Sequence, residues 1–318
     1  MWRCCVLYNY EKRDFKIART ETIKVSKDVT RTRIEYESFI QTPYPEANKV
    51  VGYLFEPEQP KTNISLIFLH GMGDKNLVPL SWFPHQFAKN GIPSFLMIVP
   101  YHFERTPKGM KSGKKFLLDD MENTVKDFRH AVVDLRTSMD FLERDGNYSG
   151  EFNLMGVSFG GMIGIIAMAV DERIKKAVFV VTGGNFLHIT WKSLATRVLR
   201  KKYEVDANSD LYGCNERKCI EIHKDYFDYI KKLKTLEDLE KIKPAKECFL
   251  FDPLTFGHYL KERQVIMYNA LLDEVIPRQA AQELWEEMGK PERHWLFSGH
   301  ATSIFYRKRI LNRSLELF

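Results

Sequence analysis

Short apolar runs alternate with longer amphipathic stretches through most of this 318-residue chain, and this alternation restricts the possible folds more than any other feature. Residues 65–71, SLIFLHG, form a continuous apolar run that ends in glycine, as expected for a strand buried on both faces. Similar runs recur at residues 94–99, 152–156, 175–184 and 264–273. Because strands that alternate with helices build a mostly parallel sheet covered by helices, we expect an α/β fold.

Two further elements are predicted from periodicity. Residues 32–40 and 49–57 show short alternating stretches, which predicts an antiparallel hairpin at the start of the sheet. Within residues 121–144, apolar side chains recur at steps of three and four, which predicts an amphipathic helix that lies on the sheet.

The regular alternation stops between residues 185 and 263, where the chain becomes polar and rich in lysine but keeps helical pieces. It resumes with the apolar run that begins at residue 264. We therefore expect residues 1–318 to form a single domain in which residues 185–263 are an inserted helical cap.

The composition is that of an ordinary globular protein, with 44% hydrophobic and 28% charged residues. The formal net charge of +6 comes from separated basic groups that do not interleave aromatic residues and glycine, so nucleic acid is not an expected partner. We find no signal-peptide pattern and no apolar stretch of about 18 residues, and we expect a cytoplasmic location without a membrane span. Nothing in the sequence indicates the oligomeric state.

An odd number of cysteines in so long a chain favours reduced thiols over a disulfide framework. Cys214 and Cys219 lie near His223, but their C-x4-C spacing differs from the C-x2-C spacing of structural zinc sites. We therefore expect no metal and no other cofactor. The five cysteines are Cys4, Cys5, Cys214, Cys219 and Cys248.

Residues 156–160, GVSFG, match the G-x-S-x-G pattern, in which a serine lies on a tight turn between a strand and a helix. The context agrees with the pattern, because the motif follows a predicted strand and opens a helix rich in small residues. Such a turn exposes the serine hydroxyl above the edge of the sheet. Ser158 is therefore the candidate nucleophile, and it requires a base that is oriented by a carboxylate.

A carboxylate and a histidine follow in the order that this chemistry uses in α/β sheets. Asp273 comes at the end of the predicted strand at 264–273, at the carboxyl edge where functional loops gather. His300 follows a short predicted strand at the same edge. Asp273 is the candidate acid and His300 the candidate base.

Other residues compete for these two roles. Asp252 and Glu274 are alternative acids, and Asp273 is also a suitable N-cap for the helix that follows it. Asp252 precedes Pro253 and is more typical of a turn or a helix start than of a catalytic acid, so Asp273 is favoured. The alternative bases are His258 and His294, which stand where histidines are more often structural or exposed.

Backbone N–H groups are also needed to hold the negative charge that develops on a carbonyl oxygen during acyl transfer. Residues 70–73, HGMG, follow the first buried strand and can supply one donor. We favour the N–H of Met72 over that of Gly73. The second expected donor is the N–H of Phe159, which follows the candidate nucleophile.

Several further side chains are predicted near the site. His70 and His102 either line the substrate pocket or are ordinary loop histidines, and we assign neither a catalytic role. Arg105 either contacts an anionic substrate group or is a solvated loop charge, and the second interpretation is favoured. Four aromatic residues of the predicted cap either line the pocket or belong to the core: Phe186, Trp191, Tyr226 and Phe227.

These motifs resemble those of the α/β-hydrolase superfamily, and the similarity extends over about residues 50–318. The matching segments are LHGMG, GVSFGG, LLDEVIP and SGH. The chain looks most like dienelactone-hydrolase-like and acetylesterase-type members, but HGMG replaces the HGGG of hormone-sensitive-lipase-like esterases. The resemblance implies that Ser158, Asp273 and His300 form a catalytic triad and that acyl transfer to water is the reaction.

We therefore expect a serine carboxylic-ester hydrolase that acts on a small-molecule ester. Two alternatives stay open at this point. One is a peptidase or amidase with the same triad, and the other is a non-catalytic binding protein that has kept the fold.

Overall fold

The computed structural model describes residues 7–14, 16–73, 76–118, 120–146, 148–205 and 215–318. Nine strands form one sheet: β1 (Ile17–Ser26), β2 (Val29–Glu37), β3 (Lys49–Pro57), β4 (Ser65–Leu69), β5 (Ser94–Met97), β6 (Phe152–Val157), β7 (Ile174–Val180), β8 (Gln264–Ala270) and β9 (Glu292–Leu296). Their order in the sheet is β1-β2-β3-β5-β4-β6-β7-β8-β9. The three strands at the start of the chain pair antiparallel, and the six from β5 to β9 run parallel. The expected α/β fold with a mostly parallel sheet is confirmed.

The helices cover both faces of this sheet. They are α1 (Leu77–Leu80), α2 (Trp82–Lys89), α3 (Lys114–Leu118), α4 (Met121–Asp145), α5 (Phe159–Val170), α6 (Phe186–Lys192), α7 (Arg197–Val205), α8 (Glu216–His223), α9 (Tyr226–Lys232), α10 (Asp238–Lys241), α11 (Pro253–Gly257), α12 (Arg278–Glu287) and α13 (Arg307–Leu317). Apolar residues of α4, α5, α11 and α12 pack on one face, and those of α2 and α13 pack on the other. Because successive strand residues face opposite sides, Ile67 and Leu69 of β4 join the first core while Leu66 and Phe68 join the second.

The amphipathic helix predicted over residues 121–144 is α4, which ends at Asp145. Asp120 caps it, because its carboxylate accepts the N–H of Asn123 at 2.8 Å. The predicted apolar stripe is buried at Phe128, Val132 and the residues that follow it on the same face. This packing fixes α4 beside α5, the helix that begins immediately after Ser158.

The opening hairpin is confirmed as β2 paired with β3, but the sequence did not indicate β1. Most residues of β1 are exposed and polar, so the strand lacks the alternation by which half-buried strands are recognised. Its pairing with β2 runs from Ile17 opposite Tyr36 to Ser26 opposite Val29, with two irregularities in register. The polar edge that results protects the sheet from further pairing.

In the described residues between β7 and β8, the chain forms the six helices α6 to α11. The buried carboxylate of Asp252 connects the start of this segment to a residue near its end. That carboxylate accepts the N–H groups of Asn185 at 2.7 Å and Phe186 at 2.6 Å, where the segment begins, and that of Leu254 at 2.9 Å, at the start of α11. Burial raises the pKa of Asp252 to about 6, although the three backbone donors act to lower it. Asp252, the alternative acid, is therefore a structural cap rather than a partner of His300.

No helix in the described residues is both long and apolar enough to span a membrane.

Candidate active site

Ser158 lies in a sharp turn between the end of β6 and the start of α5. Its backbone has φ 53° and ψ −118°, a conformation that non-glycine residues rarely adopt. The flanking glycines are required for close approach. A Cβ at Gly160 would lie 2.5 Å from the carbonyl oxygens of Leu69 and His70, and one at Gly156 would lie 2.7 Å from the oxygen of Gly160. Backbone strain and tight packing together present the Ser158 hydroxyl at the sheet edge.

Ser158, His300 and Asp273 are joined by consecutive hydrogen bonds. The Nε2 atom of His300 lies 2.9 Å from the Oγ of Ser158. The Nδ1 atom of the same ring lies 2.9 Å and 3.0 Å from the two carboxylate oxygens of Asp273. The side chain of Asp273 is 5% exposed and that of His300 is 15% exposed, so water has little access to these contacts. The arrangement allows the imidazole to accept the serine proton while the carboxylate stabilises the charged ring.

The loop after β8 fixes the carboxylate of Asp273. The sequence predicted Asp273 as the last residue of this strand. The strand ends at Ala270, so Asp273 lies three residues beyond it. One oxygen of the carboxylate accepts the N–H groups of Val275 at 2.9 Å and Ile276 at 2.7 Å. Asp273 thus organises its own loop as well as facing His300. It is not the N-cap of the following helix, because α12 begins only at Arg278.

Glu274, the other alternative acid, contacts the main chain of His300 rather than its ring. Its carboxylate accepts the N–H of His300 at 3.0 Å. This hydrogen bond lowers the pKa of Glu274. The two adjacent carboxylates therefore hold different parts of His300: Asp273 contacts the imidazole, and Glu274 contacts the backbone N–H.

The two alternative bases are remote from this arrangement. His294 lies in β9, stacks on Tyr268 and contacts the carboxylate of Glu292 at 2.6 Å. His258 lies in a short 3₁₀ turn and packs against Tyr259. Neither lines the cavity beside Ser158.

The expected donors for a carbonyl oxygen lie beside Ser158. Met72, Gly73 and Phe159 all line the same cavity as Ser158 and His300. Phe159 is the first residue of α5, where backbone N–H groups have no partner within the helix. Gly73 has φ +73°, which lets the chain turn sharply after Met72.

His70 supports this loop from behind instead of lining the pocket. Its Nδ1 atom donates to the oxygen of Gly71 at 2.8 Å, and its Nε2 atom accepts the N–H of Val99 at 3.1 Å. Burial lowers the pKa of His70 to about 3 and that of His102 to about 4, so both rings are neutral at pH 7. His102 contacts His70 edge to face and is equally buried.

Arg105 is neither a solvated charge nor a substrate contact, so both interpretations from the sequence are wrong. Its guanidinium is fully buried and pairs with the carboxylate of Asp134 at 2.5 Å. It also donates to the backbone oxygens of Ala47 and Ile98, each at 2.8 Å. Burial acts to raise the pKa of Asp134, but His130 and Arg105 outweigh it and lower that pKa. The pair ties α4 to the loops around the sheet.

A mostly apolar cavity of about 360 Å³ lies between Ser158 and the helices that connect β7 to β8. Ser158, Phe159 and His300 form the wall on the sheet side. The opposite walls include Phe186 and Trp191, so two of the four aromatic residues line the pocket. Of the other two, Tyr226 is fully buried in the core, and Phe227 is 39% exposed. Sequence patterns did not identify the remaining aromatic residues of the wall, which are Phe116, Phe128 and Phe251.

Two buried thiols, those of Cys219 and Cys248, also line this cavity. His223 contacts the backbone oxygen of Cys219 through its Nδ1 atom at 2.8 Å. Within the part of the chain that the structure describes, no group of His, Cys, Asp and Glu side chains has the arrangement of a metal site. The other three cysteines, Cys4, Cys5 and Cys214, lie outside the described residues.

Comparisons with solved structures identify the same fold in known hydrolases. An acetyl xylan esterase from Paenibacillus sp. R4 aligns with 95% of this chain and 89% of its own at a TM-score of 0.65, with 14% identity. The alpha/beta hydrolase GrgF from Penicillium sp. sh18 aligns with 90% of this chain and 96% of its own at a TM-score of 0.56, with 18% identity. Acetyl xylan esterase 1 from Thermoanaerobacterium sp. JW/SL YS485 aligns with 94% of this chain and 88% of its own at a TM-score of 0.54, with 16% identity.

Among curated proteins, similarity extends to an uncharacterized protein found in two strains of Mycobacterium tuberculosis, CDC 1551 / Oshkosh and ATCC 25618 / H37Rv. The identity is 23% over 282 residues, which cover 86% of this chain but only 57% of the relative. The chain thus spans little more than half the length of that protein.

The family model described as alpha/beta hydrolase domain containing 18 matches residues 37–317. This match includes strands β3 to β9 and only the last residue of β2, together with Ser158, Asp273 and His300. The chain therefore belongs to the family of alpha/beta hydrolase domain containing 18.

Proposed function

We propose that this protein is a serine hydrolase that cleaves carboxylic esters through an acyl-enzyme on Ser158. The observation that carries the proposal is the continuous hydrogen-bonded chain from the Oγ of Ser158 through the ring of His300 to Asp273. Membership of an α/β-hydrolase family and structural similarity to esterases support it.

The first half of the reaction forms the acyl-enzyme. The Nε2 atom of His300 takes the proton of Ser158 as Oγ attacks the ester carbonyl carbon. The carbonyl oxygen becomes an oxyanion, which the N–H groups of Met72 and Phe159 are proposed to hold. When the tetrahedral intermediate collapses, the bond to the alcohol oxygen breaks, and the imidazolium donates its proton to the departing alcohol.

The second half repeats these steps with water. His300 takes a proton from water as the water oxygen attacks the acyl carbon, and the same N–H groups hold the new oxyanion. The bond to Oγ then breaks, His300 returns the proton to Ser158, and a carboxylic acid leaves. Throughout, Asp273 keeps a proton on Nδ1 so that Nε2 faces the serine, and it stabilises the imidazolium without taking the proton.

The inserted segment at residues 185–263 is proposed to act as a cap that selects the ester. Its aromatic residues, together with Phe116 of α3 and Phe128 of α4, leave a largely apolar space next to the nucleophile. Such a space favours an apolar acyl or alcohol group. A polar group would lose its hydrogen bonds to water there and find few polar side chains to replace them.

The test is hydrolysis of p-nitrophenyl esters of increasing acyl length, together with labelling by a fluorophosphonate. We expect Ser158→Ala to abolish both while circular dichroism stays unchanged. Ser149→Ala, which alters a half-buried serine whose hydroxyl contacts only its own loop, is the matched control and should retain both.

Two outcomes would overturn the proposal. Cleavage of p-nitroanilides in preference to the matching esters would favour a peptidase or amidase with the same residues. A folded wild type that neither hydrolyses nor labels would favour a binding protein.

A further inference from the structure

Five of the most exposed large apolar side chains in the described residues form a group that we call the apolar rim. Each has more than half of its surface accessible, whereas side chains of this kind are more often buried. Single exposed apolar residues need no explanation, but several of them on adjoining segments at a functional edge do. The rim consists of Leu194 (63% exposed), Val198 (67%), Leu272 (61%), Phe297 (75%) and Phe305 (82%).

The segments that carry the rim are hydrogen-bonded to one another around the candidate active site. The N–H of Leu194 donates to the oxygen of Glu274 at 2.9 Å, and that of Leu272 donates to the oxygen of Ser298 at 3.0 Å. Glu274 in turn holds the main chain of His300. Phe297 precedes His300 by three residues, and Phe305 follows it in a 3₁₀ turn. The rim therefore lies beside the reacting groups.

The rim also borders the cavity. In the segment that leads into α7, Ser193, Ala195, Thr196 and Leu199 line the cavity, while Leu194 and Val198 are exposed. One side of this segment thus forms the pocket wall and the other presents apolar groups to solvent.

Positive charge without acidic residues accompanies the rim. Residues 186–203 contain Lys192, Arg197, Arg200, Lys201 and Lys202 and no acidic residue. Residues 300–312, which include the turn after β9 and the start of α13, contain Arg307, Lys308 and Arg309 and again no acidic residue. The chain as a whole has 42 acidic against 48 basic residues, so this segregation departs from its average. Glu274, an exposed acidic side chain beside the rim, accepts the N–H of His300.

We propose that the apolar rim docks the protein on an anionic lipid bilayer, with the mouth of the cavity facing the membrane surface. Exposed aromatic and aliphatic side chains enter the boundary between headgroups and acyl chains, and surrounding lysine and arginine residues attract anionic headgroups.

The first test is co-sedimentation of the full chain with vesicles of phosphatidylcholine alone or mixed with phosphatidylglycerol. We expect binding to the mixed vesicles, and we expect Phe297→Ser combined with Phe305→Ser to weaken it about tenfold or more. The matched control combines Ile23→Ser with Phe227→Ser, two exposed apolar residues away from the rim, and should bind as the wild type does.

Charge is tested separately. Arg197→Glu combined with Lys308→Glu should weaken binding to the mixed vesicles, and added salt should weaken wild-type binding, since surface electrostatics are screened. The control, Lys224→Glu combined with Lys231→Glu, alters two exposed lysines of the inserted helices outside the rim and should have little effect.

Three results would overturn the proposal. They are no binding to the mixed vesicles, binding that the rim variant leaves unchanged, and a wild-type dimer on size-exclusion chromatography that the rim variant separates into monomers. The outcome is independent of the proposed hydrolysis. Ser158→Ala should bind vesicles as the wild type does, and the rim variant should still cleave p-nitrophenyl acetate without vesicles.

Discussion

The carboxylate of Glu274 accepts the backbone N–H of His300 at 3.0 Å, next to the carboxylate of Asp273 that holds the imidazole. Two neighbouring acidic residues thus act on one histidine in different ways. If the proposed mechanism holds, Asp273 affects the chemistry directly, and Glu274 is a positioning residue that acts through His300.

Replacement of Glu274 by alanine should therefore reduce kcat by about tenfold, the equivalent of one lost hydrogen bond, and leave KM nearly unchanged. Glu274→Gln keeps an acceptor for the N–H and should recover most of the rate. By contrast, Asp273→Asn should reduce kcat by about 10⁴-fold, because it favours the wrong tautomer of His300. Steady-state kinetics on a p-nitrophenyl ester decides between these effects, and equal losses in Glu274→Gln and Glu274→Ala would contradict the positioning role.

Removing the positive partner of Asp134 should destabilise the protein strongly. Arg105→Met leaves a buried carboxylate without its guanidinium, and we expect the free energy of unfolding to fall by about 3–5 kcal/mol. Lys24→Met breaks a comparable but exposed pair with Glu58 and should change it by less than about 1 kcal/mol. Urea denaturation measures both, and similar losses in the two variants would show that burial of the Arg105 pair has no special weight.

The turn at Ser158 should not tolerate a methyl group at Gly160. Its Cβ would lie 2.5 Å from two backbone oxygens, so α5 must move away from β4. We expect Gly160→Ala to lower the free energy of unfolding by about 2 kcal/mol and to remove most activity. In Gly150→Ala the nearest atom is the movable carboxylate of Glu143, so thermal unfolding of this control should match the wild type within error.

Stability should fall as the solution becomes more acidic. Burial lowers the pKa of His70 to about 3 in the folded protein, against about 6.5 when unfolded, so the unfolded chain binds more protons between these values. The stabilisation from the neutral ring is complete above about pH 6.5 and is lost as the pH falls towards 3.

By proton linkage, His70 alone should lower the free energy of unfolding by about 2 kcal/mol when the pH falls from 7 to 5. Urea denaturation at both values measures it, and His70→Asn should reduce the difference between them. His102 adds to the same trend, because its pKa is lowered to about 4. Stability that is equal at pH 5 and pH 7 would contradict neutral burial of these rings.

Most of the parallel sheet could be predicted from the sequence because its central strands are largely apolar and end close to a turn residue. β4 and β6 are examples, since all five residues of β4 and five of the six in β6 are buried. The proximity of Ser158, Asp273 and His300 was also predictable, because the carboxyl ends of parallel strands meet at one edge.

Arg105 shows what the sequence could not indicate. Its partner Asp134 lies on α4, and no local pattern links a loop arginine to one residue of a distant helix. Lys115 is a second case, buried against Asp127 of the same helix. Basic residues are ordinarily exposed, so only the packed structure identifies the ones that are not.

The role of Asp252 has a consequence for how such proteins diversify. Its carboxylate joins Asn185, at the start of the inserted segment, to Leu254 in α11, near the end of that segment. Because these two points are adjacent, a replacement segment of different length and sequence has only to begin and end there. If the inserted segment selects the ester as proposed, substrate preference can be exchanged as a module while Ser158, Asp273 and His300, which lie outside the segment, keep their positions.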